Sequence, residues 1–205
     1  WAEGAPEPVH GASWSARPPG RPAFVTLWTS GADPLRDDLV RAQALRLTPD
    51  GNWESFSRTC QPARAAESPS ESEPTGVRLA RDYGLHASDL ATGTPAASVL
   101  TELRSFLAGY ALITTLREPF LAYWNWPERA HEPPVLDLAE IAALCWPGRL
   151  ASEGERLAVQ LLQREPAGGP RALEPEHLRA ALGLLVARVL AQAEPVRAAV
   201  AHALE

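Results

Sequence analysis

The residue types able to do chemistry are present in this 205-residue chain but scattered. His86 and His131 have no partner at metal-ligand spacing. Cys60 and Cys145 make neither a zinc motif nor a disulfide framework. Ser30-Gly31 and Gly168-Gly169 lack the glycine and lysine pattern of a phosphate loop. Asp33, Asp37 and Asp38 follow an apolar run, Phe24 to Thr29, and read as solvated acids of the next loop. A strand that held metal through two acids would carry them at i and i+2, where side chains share one face. On this run one such pair is Thr26 and Trp28. A neutral hydroxyl is a weak ligand for Mg²⁺, and indole offers a hard cation no lone pair. The signal for binding is elsewhere: Tyr123-Trp124-Asn125-Trp126, flanked by Arg117 and Arg129, with Arg104 as a further candidate. Such rings stack on single-stranded bases or anchor protein interfaces. A helix that uses some of them for its core is the structural alternative, and Glu118, Glu128 and Glu132 interrupt the basic pattern.

The elements that must position these residues follow from periodicity and turn chemistry. Residues 1–21, rich in Pro, Gly, Ala and Ser, read as a flexible tail or linker, and 22–205 as one domain. Strands are expected at 23–29, 39–47 and 53–60. The turn Thr48-Pro49-Asp50-Gly51-Asn52 joins the last two, which suggests an antiparallel meander. Residues 61–75, rich in Ser, Pro and Glu, read as an exposed loop. A short helix is expected over 77–83, ending at Gly84. A clear one follows over 96–108, where Val99, Leu100, Leu103, Phe106 and Leu107 recur at helical spacing and Gly109 stops it. Then come a short buried strand at 110–115 and helices at 119–126, 137–146 and 152–164. The helix from 176 to about 192 has Pro175 in its first turn, and a last helix covers 195–204. Asp137 is placed to cap its helix. Strands early and helices late argue for an α/β domain with a mixed sheet.

Composition narrows the function classes. Hydrophobic content of 45% and seven Trp argue for a packed globule. The net charge of −6 disfavours a strong electrostatic grip on nucleic acid, although it permits a local basic patch. All basic residues are Arg, a uniformity that reads as genomic composition. Two isolated cysteines suit a reducing compartment, so a cytoplasmic location is expected, and no stretch reads as a membrane span.

The frame of Phe24 to Gly31 resembles the first motif of the DnaQ-like (DEDDh) 3′–5′ exonucleases, Asp-x-Glu-Thr-(Thr/Ser)-Gly, with Thr26 at its Asp and Trp28 at its Glu. The run Ala32-Asp33-Pro34 through Val40 is similar to the segment after that motif, with Arg41 at a family Glu. Gly84 to Leu90 resembles the segment before the next helix. Ala111 to Leu116 sits at the second motif, which places Phe120 at its Asp. Val135 to Gly148 is similar to a further family helix. The last long helix matches the fourth motif only in frame. In one register His177 and Leu182 take its His and Asp; in the other, Leu178 and Gly183 do. The resemblance covers roughly residues 23–192 and implies a ribonuclease H-like fold.

In active relatives four carboxylates would hold two metals and a His would act as general base. Here all four positions lack an acid, so no catalytic residue, metal or cofactor is expected, and His177 is at most a remnant. Trp28, Phe120 and Leu182 are expected to pack together and fill the cradle. The first functional expectation is a non-catalytic exonuclease-like domain, a protein-binding or structural module in DNA replication or repair with an unidentified protein partner. The alternative is a module that binds single strands or 3′ ends without cleaving them. An active metal-dependent exonuclease would need acids that this pattern does not supply.

Overall fold

The structure, a computed structural model, describes residues 21–31, 37–62, 79, 82–115, 117–124, 133–145, 157, 160–163, 173–196 and 198–199. The first three strands, β1 (Arg21–Thr29), β2 (Leu39–Leu47) and β3 (Trp53–Gln61), form the expected antiparallel meander. Gly51 supplies the positive φ of +80° that the β2–β3 turn requires. A short helix α1 (Ala87–Ala91) and a two-residue strand β4 (Thr94–Pro95) lead into α2 (Ala96–Leu107). Gly109, at φ +82°, turns the chain out of α2 into β5 (Tyr110–Thr114). There follow α3 (Arg117–Trp124), β6 (Val135–Asp137), α4 (Leu138–Cys145) and α5 (Pro175–Leu190).

The sheet order is β4-β3-β2-β1-β5-β6, with β5 parallel to β1 and β6 parallel to β5. Helices cover both faces. Ala23 and Val25 of β1, Ala42 and Ala44 of β2 and Leu112 of β5 share one core with α2 and α3. α2 reaches it through Val99, Leu103 and Leu107, a single stripe at intervals of four. The alternate residues Phe24, Leu45 and Ile113 face the other way and pack on Leu138, Ile141 and Ala142 of α4 and Leu178, Ala181 and Leu185 of α5. A mixed sheet with an antiparallel N-terminal meander and flanking helices is the α/β arrangement that the resemblance implies.

Several boundaries move. Arg21, assigned to the tail, is the first residue of β1, and Gln61, assigned to the loop, pairs with Pro95. The short elements β4, β6 and α1 carry too few residues for a periodic signal. α3 begins two residues earlier than expected. Asp137 caps α4 as expected: the Ala139 N–H donates to its Oδ1 at 2.7 Å. Leu79, Asp82 and Tyr83 are helical, as are Leu157, residues 160–162, 194–196 and 198–199. The tail 1–20, most of the 61–75 loop, Asp33, Trp126, Arg129 and His131 lie outside the described residues.

Candidate functional site

Thr26 and Trp28 share the β1 face that looks towards α5. Antiparallel pairing sets Gln43 and then Ser57 opposite Thr26, and Arg41 and then Thr59 opposite Trp28. Two adjacent rungs of the sheet, Thr26–Gln43–Ser57 and Trp28–Arg41–Thr59, therefore point the same way.

Trp28 is held on every side. Its indole N–H donates to the Leu173 carbonyl at 3.0 Å, which ties β1 to the residue two before α5. Its ring stacks on Tyr83, with centroids 4.9 Å apart, in a small core with Val40, Leu79, Leu85 and Leu90. The Arg41 guanidinium lies 5.2 Å over the same ring. Tyr83 in turn donates its hydroxyl to the Thr29 carbonyl at 3.1 Å. The rung beside it is polar and unsatisfied. Thr26 is 6% and Gln43 8% exposed, and Thr26 Oγ1, Gln43 Oε1 and Arg41 Nε are buried with no hydrogen-bond partner. Each such orphan costs about 1–3 kcal/mol, so this face is a place where stability is given up.

These residues do not fit the two metals that an exonuclease cradle holds. Their donor set is one hydroxyl, one amide and an indole, and the Arg41 guanidinium over Trp28 brings a cation to it. Among the described residues no group of three or more His, Cys, Asp or Glu side chains could bind a metal ion. Asp37 lies against Gly31 at the end of β1, where a Cβ on Gly31 would fall 2.3 Å from the Asp37 carboxylate. Asp38 closes the turn into β2: the Ser30 amide donates to its carbonyl at 2.9 Å, and its own amide donates to Ser30 Oγ at 2.8 Å.

The expected packing of Trp28, Phe120 and Leu182 into one plug is not found. The three belong to three different clusters. Phe120 lies in the core of α2 and α3, on the sheet face opposite Trp28, and stacks on Trp124 at 5.0 Å. Alternation along β1 is the reason, because α3 packs on the face that carries Ala23 and Val25. Leu182 packs against the α4–α5 core, whereas Gly183 is exposed with nothing within 4 Å of a Cβ built on it. Of the two registers on α5, the one ending at Leu182 points inward. His177 performs a structural task there: its Nδ1 accepts the Glu174 N–H at 3.1 Å at the start of the helix.

The proposed aromatic surface is also corrected. Trp124 is fully buried, and Tyr123 is buried with its hydroxyl donating to the Gly31 carbonyl at 3.1 Å. Arg104 lies 5.7 Å over the Trp124 ring and donates to the Trp124 carbonyl, so this cation belongs to the core and not to a phosphate path. Burial lowers the Arg104 pKa from its ordinary value. The helix needed those rings for packing, the structural alternative already present in the sequence. Trp126 and Arg129 lie outside the described residues, as does the side chain of Arg117.

A different ring is available. Trp53, at the start of β3, is 38% exposed; Arg179 of α5 lies 5.1 Å over its ring and Phe24 sits beside it at 5.9 Å. From Trp53 the same face of β3 continues through exposed Ser55 and Ser57 to Thr59, with no carboxylate on it. It ends in an open groove of about 520 Å³ that Arg41, Ser57, Thr59, Asp89 and Thr94 help to line. The spacing of two puts Trp53, Ser55, Ser57 and Thr59 on one strand face, but the sequence carries no signal for Arg179 and Arg41, which reach this face from α5 and β2.

No family model matches this sequence, and no curated protein matches it. Solved structures do. Exonuclease X in complex with 5′ overhanging duplex DNA is 13% identical with a TM-score of 0.55, covering 87% of this chain and 98% of that one. The fold is that of the exonucleases. E. coli exonuclease I in complex with a dT13 oligonucleotide gives a TM-score of 0.54 at 16% identity, and an ExoI/SSB-Ct complex gives 0.55 at 15%. The chain spans about two fifths of exonuclease I: the shared region covers 86% of this chain and 42% of that one in the first complex, and 83% and 42% in the second. At these identities the likeness is one of fold. Exonuclease function rests on residues that the fold does not dictate.

Proposed function

We propose that the chain is a non-cleaving module of exonuclease fold that binds single-stranded nucleic acid or its 3′ ends. The observation that carries this reading is the open face of β3. An exposed ring beneath a guanidinium, Trp53 with Arg179, stands at one end, and Arg41 with a row of hydroxyls stands at the other. Six residue steps along β3 take Trp53 to Thr59, about 20 Å at roughly 3.3 Å per residue. Stacking platforms combined with cations along a groove are the physical means of sequence-tolerant single-strand binding. Exonuclease X and exonuclease I, among the structural neighbours, are both seen in complex with DNA or an oligonucleotide. The loss of cleavage rests on the donor set: Thr26 and Trp28 in place of two acids, beside the cation of Arg41. A role in replication or repair, in the cytoplasm, belongs to the same proposal.

The test is titration of a labelled oligothymidylate together with a digestion assay in Mg²⁺ and in Mn²⁺. Salt-sensitive binding without cleavage is expected. Trp53→Ala should weaken binding by roughly tenfold or more, since one base stacked on a ring contributes about 1–3 kcal/mol. Cleavage abolished by a chelator would overturn the reading.

One observation favours a protein partner as the second reading. Leu184, Val186 and Leu190 of α5, and Val196 beyond it, are exposed. A partner helix or peptide would find apolar side chains there, and one structural neighbour is an ExoI/SSB-Ct complex. Absence of oligothymidylate binding, with α5 substitutions such as Leu190→Glu disrupting a co-purifying partner, would favour it.

A further inference from the structure

We propose that the groove where β2 and β3 meet α1 and β4 holds a phosphate monoester without a metal, with Arg41 as its anchor. This rests on the nucleic-acid reading above and gives it a specific subsite. Arg41 lines the groove, yet its Nε is buried without a partner, and its guanidinium lies over Trp28. A guanidinium laid on a ring keeps its edge donors in one plane, which suits the oxygens of a phosphate. On the same side of the sheet, Ser57 and Thr59 bring hydroxyls from β3. The sheet face continues inward to Thr26, more than nine-tenths buried, whose hydroxyl is without a partner and able to donate. Unsatisfied polar atoms beside a polar groove mark a place where a ligand supplies the missing bonds. A monoester offers three oxygens to this set of donors, one more than the two free oxygens of a backbone diester. The volume of about 520 Å³ also admits the nucleoside attached to the phosphate.

Two other charges bear on the groove. Asp89 lines it, but its Oδ2 accepts the His86 amide at 2.8 Å, so the carboxylate is engaged at the start of α1. Arg58 also lines it, but its side chain belongs to the opposite face, over the Phe56 ring at 5.3 Å and paired with Glu102 at 3.4 Å. Arg41 is therefore the cation that matters, and Arg58 is the control.

The experiment is thermal unfolding of the full chain in inorganic phosphate and in thymidine 5′-monophosphate, against sodium chloride of equal ionic strength. At a ligand concentration ten times the dissociation constant, Tm should rise by about 3 °C. Arg41→Gln should weaken either ligand by roughly tenfold or more, because a bond to a charged group is lost, while Arg58→Gln keeps the shift. If Arg41→Gln does not fold, Thr59→Val is the second variant, expected to weaken both ligands several-fold. Oligothymidylate with and without a 5′-phosphate identifies the source. Preference for the phosphorylated strand assigns a strand end; a monophosphate shift without that preference assigns a free nucleotide; either supports the site. A phosphate effect absent from the wild type, or unchanged in Arg41→Gln and Thr59→Val, overturns it. Oligothymidylate binding that depends on Trp53 but not on Arg41 would overturn the subsite and leave the broader function standing.

Discussion

At the scale of single residues, Trp28 shows how one strand position can tie three parts of the fold together. The strand geometry that would aim an acid at a metal aims an indole at the Leu173 carbonyl instead. Trp28→Phe keeps a ring for Tyr83 and Arg41 but leaves that carbonyl without its donor. It should destabilise the protein by about 1–3 kcal/mol, read as a drop in denaturant midpoint at unchanged m. Trp28→Ala should cost more, about 3–5 kcal/mol, because the ring volume is lost as well. Equal effects of the two variants would show that the ring adds nothing beyond the hydrogen bond, and an unchanged midpoint in Trp28→Phe would show that the hydrogen bond contributes nothing. The lack of acids at 26 and 28 was legible in the sequence, since the residue types state it. The partners of Trp28 were not, because Leu173 and Tyr83 lie 145 and 54 residues away from the two groups they bind on β1.

At the scale of elements, the meander and the two long helices were legible because each repeats its pattern over nine or more residues. β4 and β6, of two and three residues, are made by pairing alone. α3 misled in an instructive way: its aromatic run reads as a surface, but the helix lies on the sheet and turns Phe120, Tyr123 and Trp124 into it. The same topology explains why Phe120 cannot meet Trp28, since crossing the sheet separates them. The β3–β4 junction carries a prediction of its own. A Cβ on Gly93 would come within 2.6 Å of the backbone of Cys60 and Gln61. Gly93→Ala must push β4 off β3 and should cost about 1–3 kcal/mol. It should also weaken phosphate binding, because Thr94 moves with the strand. A variant as stable as the wild type would show that the junction yields freely.

At the scale of the whole molecule, Cys60 reports on the integrity of the sheet. Its thiol is fully buried on β3 in the core with α2, and burial pushes its pKa up to about 12. The unfolded thiol ionises near its ordinary value, about 8.5. Stability from this residue is therefore complete below that value and is lost as pH rises towards 12. Stability should fall on the alkaline side of pH 8.5, and Cys60→Ser should flatten that limb. In the native state, alkylation of the Cys60 peptide, followed by mass spectrometry, should proceed only as fast as the molecule opens. Labelling at the rate of a free thiol would show that the α2 side of the sheet is loose. The opposite side carries a different kind of restraint. Trp28 now holds the approach to α5, carries the Arg41 guanidinium and completes a core with Tyr83. Installing Glu at 28 alone would undo all three at once, and installing Asp at 26 alone would bury a carboxylate at a position 6% exposed, a desolvation cost that Arg41 on the neighbouring rung offsets only in part. Each such single step costs stability before a second acid could offset it, so the tryptophan acts as a latch on this face: new chemistry there requires several residues to change together.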